Sequence, residues 1–420
     1  MRCRRSTCLM RAVNAQRERY IKVAARVLVL LFTACLISLL LDDAPLSRLL
    51  LASEDAERHR LLAENEERIQ HSESFLNDYR ASLTSARPAR PVGADPQAEV
   101  GVTLLTMARG RRMSQRVKHR TQYLTQSLAR LLQLLNDTSL TRSYRLSVCD
   151  VDDQPEEFVE ARHLESLSVV PFFKRYVQNV TRMTAEKTMS QGIWEKLKHD
   201  YVYCLQQTMS LGVRYALLVE DDAVAHEQLL HVLEHVLTAV LDAPGAKPVN
   251  YVKLYHPKRL LGYVSLEAER LPELLALGVT AGTLGTMITL ALSTRRRTGR
   301  LQPKVRTLWA WWVVTIVVFA LAVGRSELLE LRRLSPHLYQ VTPAPSCCNQ
   351  AMLYTQRGAR QLSERLLNVT CKAGKSKDIW LYEFRNVGNA RSLLVQPNLF
   401  THIGQISTLR TKEVSSLIVP

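Results

Sequence analysis

The residues best placed to do chemistry are three consecutive acids, Glu220, Asp221 and Asp222, which directly follow the apolar run Val213 to Val219 (VRYALLV). Adjacent carboxylates repel one another, and fixing three of them at the end of a buried strand is costly unless a cation compensates. The plain alternative is a solvated acidic turn; only the position after a strand favours the metal reading. Hard oxygen ligands suit Mn²⁺ or Mg²⁺, ions that complete their shells with substrate phosphates. Thr106 and Arg109 stand at and just beyond the end of one apolar run, Val100 to Met107, and Asp150 and Asp152 at and just beyond the end of another, Tyr144 to Val151. These are places where a nucleotide base and ribose would be held, and also ordinary turn positions. The chain has no Gly-rich phosphate loop: Gly278, Gly282 and Gly285 sit inside an apolar run, where they suit helix packing.

The elements that must position these acids alternate in type. The patterning predicts strands over Val100–Met107, Tyr144–Val151, Val213–Val219 and Tyr251–His256, with helices over Gln115–Leu135 and 192–210 between them. Strands alternating with long helices imply an α/β domain with a largely parallel sheet covered on both faces. In such sheets ligands gather beyond the carboxyl ends of the strands.

The chain has 420 residues and a net charge of +17. Diffuse positive charge would suggest a nucleic-acid partner, but the excess is concentrated. Residues 1–26 hold eight Lys/Arg against the single acid Glu18, and 295–306 hold six with no acid. Both segments abut charge-free apolar runs, so no nucleic acid is expected and membrane lipids are. The pattern reads as a basic cytosolic tail (1–22), a transmembrane anchor (23–41), a lumenal stem and linker (42–98) and a first catalytic part (99–256). An insertion (257–333) with spans at 274–292 and 308–324 precedes a second catalytic part (334–420). Three spans place both catalytic parts and the sequons at Asn136, Asn179 and Asn368 in the lumen. There Cys149, Cys204, Cys347, Cys348 and Cys371 meet an oxidising compartment; five is odd, so at least one is free or pairs between chains, and the pairing stays open.

Towards the C-terminus, 375–381 reads KSKDIWL and 396–404 reads QPNLFTHIG, followed by Ser407. This resembles the end of the N-acetylglucosaminyltransferase IV group, where Val-Asp-Trp-Leu-Leu precedes Pro-x-Leu-Phe-x-His-x-Gly. The whole layout, with one anchor, LVEDD and a two-span hairpin dividing the catalytic domain, resembles the Golgi GPI N-acetylgalactosaminyltransferase family. That resemblance implies a GT-A-type glycosyltransferase domain split by a transmembrane hairpin. It also implies a multi-pass Golgi membrane enzyme using Mn²⁺ (or Mg²⁺) to transfer GalNAc from UDP-GalNAc to the mannose of a GPI glycan, with GPI-anchored proteins as acceptors. In its terms Asp222 is the first metal ligand and His402 the second. Glu220 holds the ribose or reaches the metal through water, and Asp221 orients its neighbours. If transfer inverts the sugar, a base must take the acceptor proton; Asp378 is the first choice and Glu383 the reserve. The competing readings are a UDP-GlcNAc-dependent transferase acting on N-glycans and a non-catalytic lumenal scaffold.

Overall fold

Strands that bury side chains on both faces form the middle of a mixed sheet, in a computed structural model that describes residues 54–84, 97–109, 120–136, 139–176, 192–263, 270–295 and 305–406. The expected anchor at 23–41, the linker at 87–96, the basic loop at 296–304, the Asn179 sequon and Ser407 lie outside these residues. The described chain divides into two units, one from Glu54 to Pro257 together with the chain from Arg332 onward, the other from Lys258 to Leu331.

The larger unit is built on β1 (Val100–Thr106), β2 (Tyr144–Asp150), β3 (Phe172–Lys174), β4 (Tyr215–Glu220), β5 (Ala223–Ala225), β6 (Val249–Lys253), β7 (Gln340–Pro343), β8 (Ala351–Thr355), β9 (Arg391–Gln396) and β10 (Phe400–His402). Eight of them form one sheet in the order β3-β2-β1-β4-β8-β6-β9-β7, and β5 pairs with β10 apart from it. From β3 to β4 the pairs are parallel, as expected. The second half is mixed: β6 and β9 run parallel, but β8 runs antiparallel to both β4 and β6, and β7 antiparallel to β9. The reason is the connection. The segment entering β8 already lies at the carboxyl end of β4, where Gln350 O accepts from Glu220 N at 2.7 Å, so the chain runs straight back with no crossover helix.

Alternation along the central strands feeds two cores. Val102, Leu104, Leu217, Val219 and Leu353 point to one face, Ala216, Leu218, Met352 and Tyr354 to the other. The helices are α1 (Glu54–Leu83), α2 (Tyr123–Leu135), α3 (Val159–Ser166), α4 (Ile193–Ser210), α5 (Leu229–Val236), α6 (Leu271–Arg295), α7 (Val305–Val323), α8 (Arg325–Glu330), α9 (Gln356–Leu367) and α10 (Lys377–Phe384). Leu128 and Leu132 of α2 and Leu233 of α5 cover the first face; Leu205 of α4 and Leu362 of α9 cover the second. The helix expected from Gln115 starts at Tyr123 because Gln122 is left-handed, with φ 38°. The strand expected to reach His256 ends at Lys253; beyond it His256 exchanges hydrogen bonds with the Asn398 side chain, at 3.0 and 2.7 Å.

Part of the segment read as a stem belongs to this unit. Along α1 the buried positions Asn65, Ile69, Ser72, Leu76 and Tyr79 recur at alternating steps of four and three, and Leu76 and Tyr79 join the core around α2. Asn65 donates to Arg120 O at 2.7 Å and accepts from Gln126 at 3.0 Å. Each fully buried side chain such as Ile69 or Leu76 stabilises the docking by roughly 1.5–3 kcal/mol, so this helix is a wall of the unit.

The smaller unit pairs α6 with α7, two helices long and apolar enough to cross a membrane. A Cβ on Gly278, Gly282 or Gly285 would meet Val317, Val313 or Trp312 at 2.6 to 2.7 Å, so these glycines permit close packing of the two backbones. Trp309 and Trp312 donate their indole N–H to Thr283 and Thr289 at 3.0 and 3.1 Å. Arg325 binds Glu273 at 2.9 Å.

Candidate active site

The ends of β1, β2 and β4 are level, with Thr106 opposite Asp150 and Leu105 opposite Glu220. The acidic triplet therefore leaves the sheet at its carboxyl edge. Asp221 is 3% exposed and Asp222 2%. Asp221 accepts from Thr106 Oγ1 at 2.7 Å and from Arg109, and its backbone carbonyl accepts from Ser127 Oγ at 2.7 Å. Arg109 also reaches Asp222 Oδ2, with Nη1 at 2.7 Å, and packs over the Tyr123 ring 5.4 Å from its centroid.

The partner of Asp222 comes from the far end of the chain. Pairing of β10 with β5 sets His402 opposite Ala223, and Ile403 N donates to Asp222 O at 2.8 Å. His402 Nε2 then lies 3.2 Å from Asp222 Oδ2. Gly404 leaves room for this contact, since a Cβ there would sit 2.2 Å from Asp222 Oδ2 and 3.0 Å from His402 Nε2. Asp222 Oδ1 is buried with no hydrogen-bond partner. A buried carboxylate oxygen without a donor, beside an imidazole, is a donor set that fits Mn²⁺ or Mg²⁺. Among the described residues no three His, Cys, Asp or Glu side chains converge on one point, so a cation at this place would take Asp222 and His402 from the protein and its other ligands from substrate and water.

Electrostatics separate the three acids. Burial alone would raise all of them, yet Arg109 and His402 hold Asp222 well below the usual carboxylate range. Burial prevails at Asp221, which rises despite Arg109, and at Glu220, which rises despite Lys377. His402 is raised, because Asp222 outweighs the lowering effect of burial.

A second cluster adjoins the first through Lys377, whose Nζ is 3.6 Å from Glu220 Oε1 and 3.1 Å from Asp378 Oδ1. Asn349 Nδ2 also donates to Asp378 Oδ1, at 2.8 Å. Burial would raise Asp378, but Lys377 and Asn349 more than offset it and keep the carboxyl below its ordinary value. Glu383 points elsewhere: it is exposed, 3.5 Å from Lys375 and 3.9 Å from Arg365. Asp150 and Asp152 stand at the neighbouring strand end. Asp152 accepts from Ala108 N at 2.7 Å and Gln154 N at 2.8 Å, and Asp150 from Asp152 N at 2.9 Å. Burial pushes Asp150 up to about 7. These two acids brace the loops after β1 and β2. Lys377, Asn349, Ser127, Tyr123 and Gly404 were missed as site residues from sequence; only Gly404 carried a signal, in the His-x-Gly spacing.

Beside Arg109 and Asp221 opens a cavity of about 620 Å³, walled by α1 (Glu73, Asn77), α2 (Tyr123) and the start of α3 (Glu160). That lies within the ~300–1,000 Å³ of small-molecule sites. Among the described cysteines, Cys149 pairs with Cys204 and Cys347 with its neighbour Cys348, leaving Cys371 buried and unpaired.

A carboxylate and imidazole pair at the carboxyl edge of a parallel-rich α/β sheet is equipped to handle a nucleotide-sugar diphosphate, the business of glycosyltransferases, and a glycosyltransferase family is what the sequence matches. The family model for GPI-N-acetylgalactosamine transferase PGAP4 aligns with residues 100–401. The chain belongs to this family and is a glycosyltransferase. Among solved structures it is similar to the mannosyltransferase PcManGT from Pyrobaculum calidifontis in complex with GDP-Man and Mn²⁺. Identity there is 10% and the TM-score 0.30, over 81% of this chain and 68% of that one. A likeness that loose bears on neither register nor site.

Proposed function

We propose that this protein is a metal-dependent, inverting GT-A-type transferase that moves GalNAc from UDP-GalNAc to the mannose of a GPI-anchor glycan. The observation that carries the reading is Asp222, whose Oδ1 is buried and unpartnered while β10 brings His402 to its Oδ2, in a chain of the GPI transferase family. Asp222 and His402 would hold Mn²⁺ or Mg²⁺. When bound, such a cation neutralises charge building on the departing UDP. Arg109, anchored on Asp221 and Tyr123, would lend further positive charge on the same side, and Glu220 would hold the ribose. Asp378, kept ionised by Lys377 and Asn349, would take the proton of the acceptor hydroxyl.

The proposal extends to placement. The N-terminal anchor, α6 and α7 would span a Golgi membrane, with the larger unit in the lumen and the 296–304 loop in the cytosol. A membrane-tethered acceptor would then be met repeatedly at short range, which raises its effective concentration without any new contact. GPI-anchored proteins gain from that arrangement and soluble glycoproteins do not.

The test is a donor panel: purified full-length protein, a set of UDP-sugars and Mn²⁺, with UDP release as the readout and a chelated control. UDP-GalNAc should be turned over fastest and only with the divalent cation. Preference for UDP-GlcNAc would reject the donor, and undiminished turnover under chelation would reject the metal.

A further inference from the structure

The segment between β7 and β8 enters the reading above only through Asn349, and fixed points on either side hold that residue. Lys253, 2% exposed on β6, donates from inside the sheet to Pro345 O at 3.3 Å and to Cys347 O. Cys347 and Cys348 close on each other in a disulfide, and both residues have positive φ, 64° and 63°. Gln350 O accepts from Glu220 N at the other end. The residue held between these fixed points is Asn349, itself 5% exposed, and its amide donates to Asp378 Oδ1. Lys377 Nζ meets the same Oδ1 at 3.1 Å, itself held by Glu220 and by the Tyr201 ring, 4.9 Å from its centroid. Two donors on one oxygen fix the plane of a carboxylate that is still 35% exposed, and neither of them touches Oδ2.

We propose that Asn349 and Lys377 are positioning residues for the transfer step, gripping the Asp378 carboxylate by Oδ1 so that Oδ2 faces the acceptor hydroxyl. This rests on Asp378 being the base. In the step, the acceptor O–H proton passes to Oδ2 as the acceptor oxygen bonds to the anomeric carbon. The bond from that carbon to the diphosphate breaks, and its electron pair leaves with UDP. A base that must meet its proton along one line loses rate steeply when it can rotate, so the grip acts on turnover and not on donor binding. The ionisable groups facing Asp378 are Lys377 on its own helix, Glu220 from β4, Lys253 from β6, Tyr201 from α4, Tyr354 from β8 and Cys371.

The experiment measures kcat and KM against pH for full-length protein in detergent, with UDP-GalNAc and a soluble mannose-containing GPI glycan fragment. Asn349→Leu removes the donor at similar volume; Asn349→Asp keeps the shape but replaces the donor with a charge. Both should lower kcat about tenfold or more with the KM for UDP-GalNAc unchanged. The acid limb of kcat should move up by about one pH unit, further for Asn349→Asp, because the ionised base loses a donor and then gains a like charge. Lys377→Arg should keep more of kcat than Lys377→Met. Wild-type kcat and acid limb in both Asn349 variants would overturn the proposal, as would a loss explained by a higher donor KM and a lower Tm. Asp378→Asn separates the two levels. If it still transfers at the wild-type rate, the base assignment fails and the proposal with it; if it is inactive while both Asn349 variants are unaffected, positioning alone fails.

Discussion

Replacing Gly404 by alanine tests the heart of the site with one methyl group. The Gly404 backbone is not in the left-handed region, so alanine is conformationally allowed and the effect falls on the neighbours. A Cβ would stand 2.2 Å from Asp222 Oδ2, where ordinary contact begins at 3.4 Å, so the carboxylate must retreat by about 1.2 Å. It would also stand 3.0 Å from His402 Nε2, driving the two groups apart from their 3.2 Å separation. Overpacking of this kind costs about 1–3 kcal/mol, less than the ~5–15 kcal/mol that holds a domain together. The protein should therefore fold. A displacement of about 1 Å at a catalytic group costs on the order of a hundredfold in rate. Gly404→Ala should thus lower kcat for GalNAc transfer by about two orders of magnitude and weaken the rise in Tm on adding Mn²⁺, while far-ultraviolet circular dichroism stays unchanged. Wild-type kcat together with a wild-type Mn²⁺ response would refute the claim that Asp222 and His402 act as a pair.

Other expectations follow from single contacts. Burial raises Glu160 to about 7, so its contribution to stability is full below the unfolded value near 4.5 and is lost as pH rises through 7. Glu160→Gln keeps an oxygen for Thr125, so it should raise Tm above pH 7, by at most about 3 kcal/mol in free energy, and match wild type below pH 4.5. A Tm gain that persists in acid would contradict this. The Cys149–Cys204 disulfide joins residues 55 apart; Cys149→Ala with Cys204→Ala should cost up to about 4 kcal/mol by loop entropy, read as a lower urea midpoint, and an unchanged midpoint would count against it. A sequon engineered near Gly299 should stay unglycosylated while those at Asn136 and Asn368 are modified; glycan at the engineered site would reject the three-span arrangement.

The acidic triplet was legible because an uninterrupted apolar strand ran directly into it, and burial at a strand end is what sets a metal site apart from a turn. Its partner was legible only through a motif. Asp222 and His402 are 180 residues apart, and the strands that join them are three residues each, too short to show any period. The docking stripe on α1 was obscured because the polar residues Asn65 and Ser72 occupy two of its five buried positions, Asn65 held there by hydrogen bonds to Arg120 O and Gln126. The grip on Asp378 was invisible for a different reason. Lys377 looked like one more lysine in a basic stretch, and Asn349 followed a cysteine pair whose bonding no spacing could reveal. The reversal at β8 also escaped, since periodicity marks a strand but not its direction.

The most direct test is GalNAc transfer itself: purified full-length protein, UDP-GalNAc, Mn²⁺ and a soluble mannose-containing GPI glycan fragment, with the product measured by mass spectrometry beside Asp222→Ala. The wild-type protein should add one N-acetylhexosamine to mannose. The variant, folded and with an unchanged circular dichroism spectrum, should add none above background, because it loses the carboxylate that His402 and Arg109 hold in place. Equal product from both proteins would contradict the account.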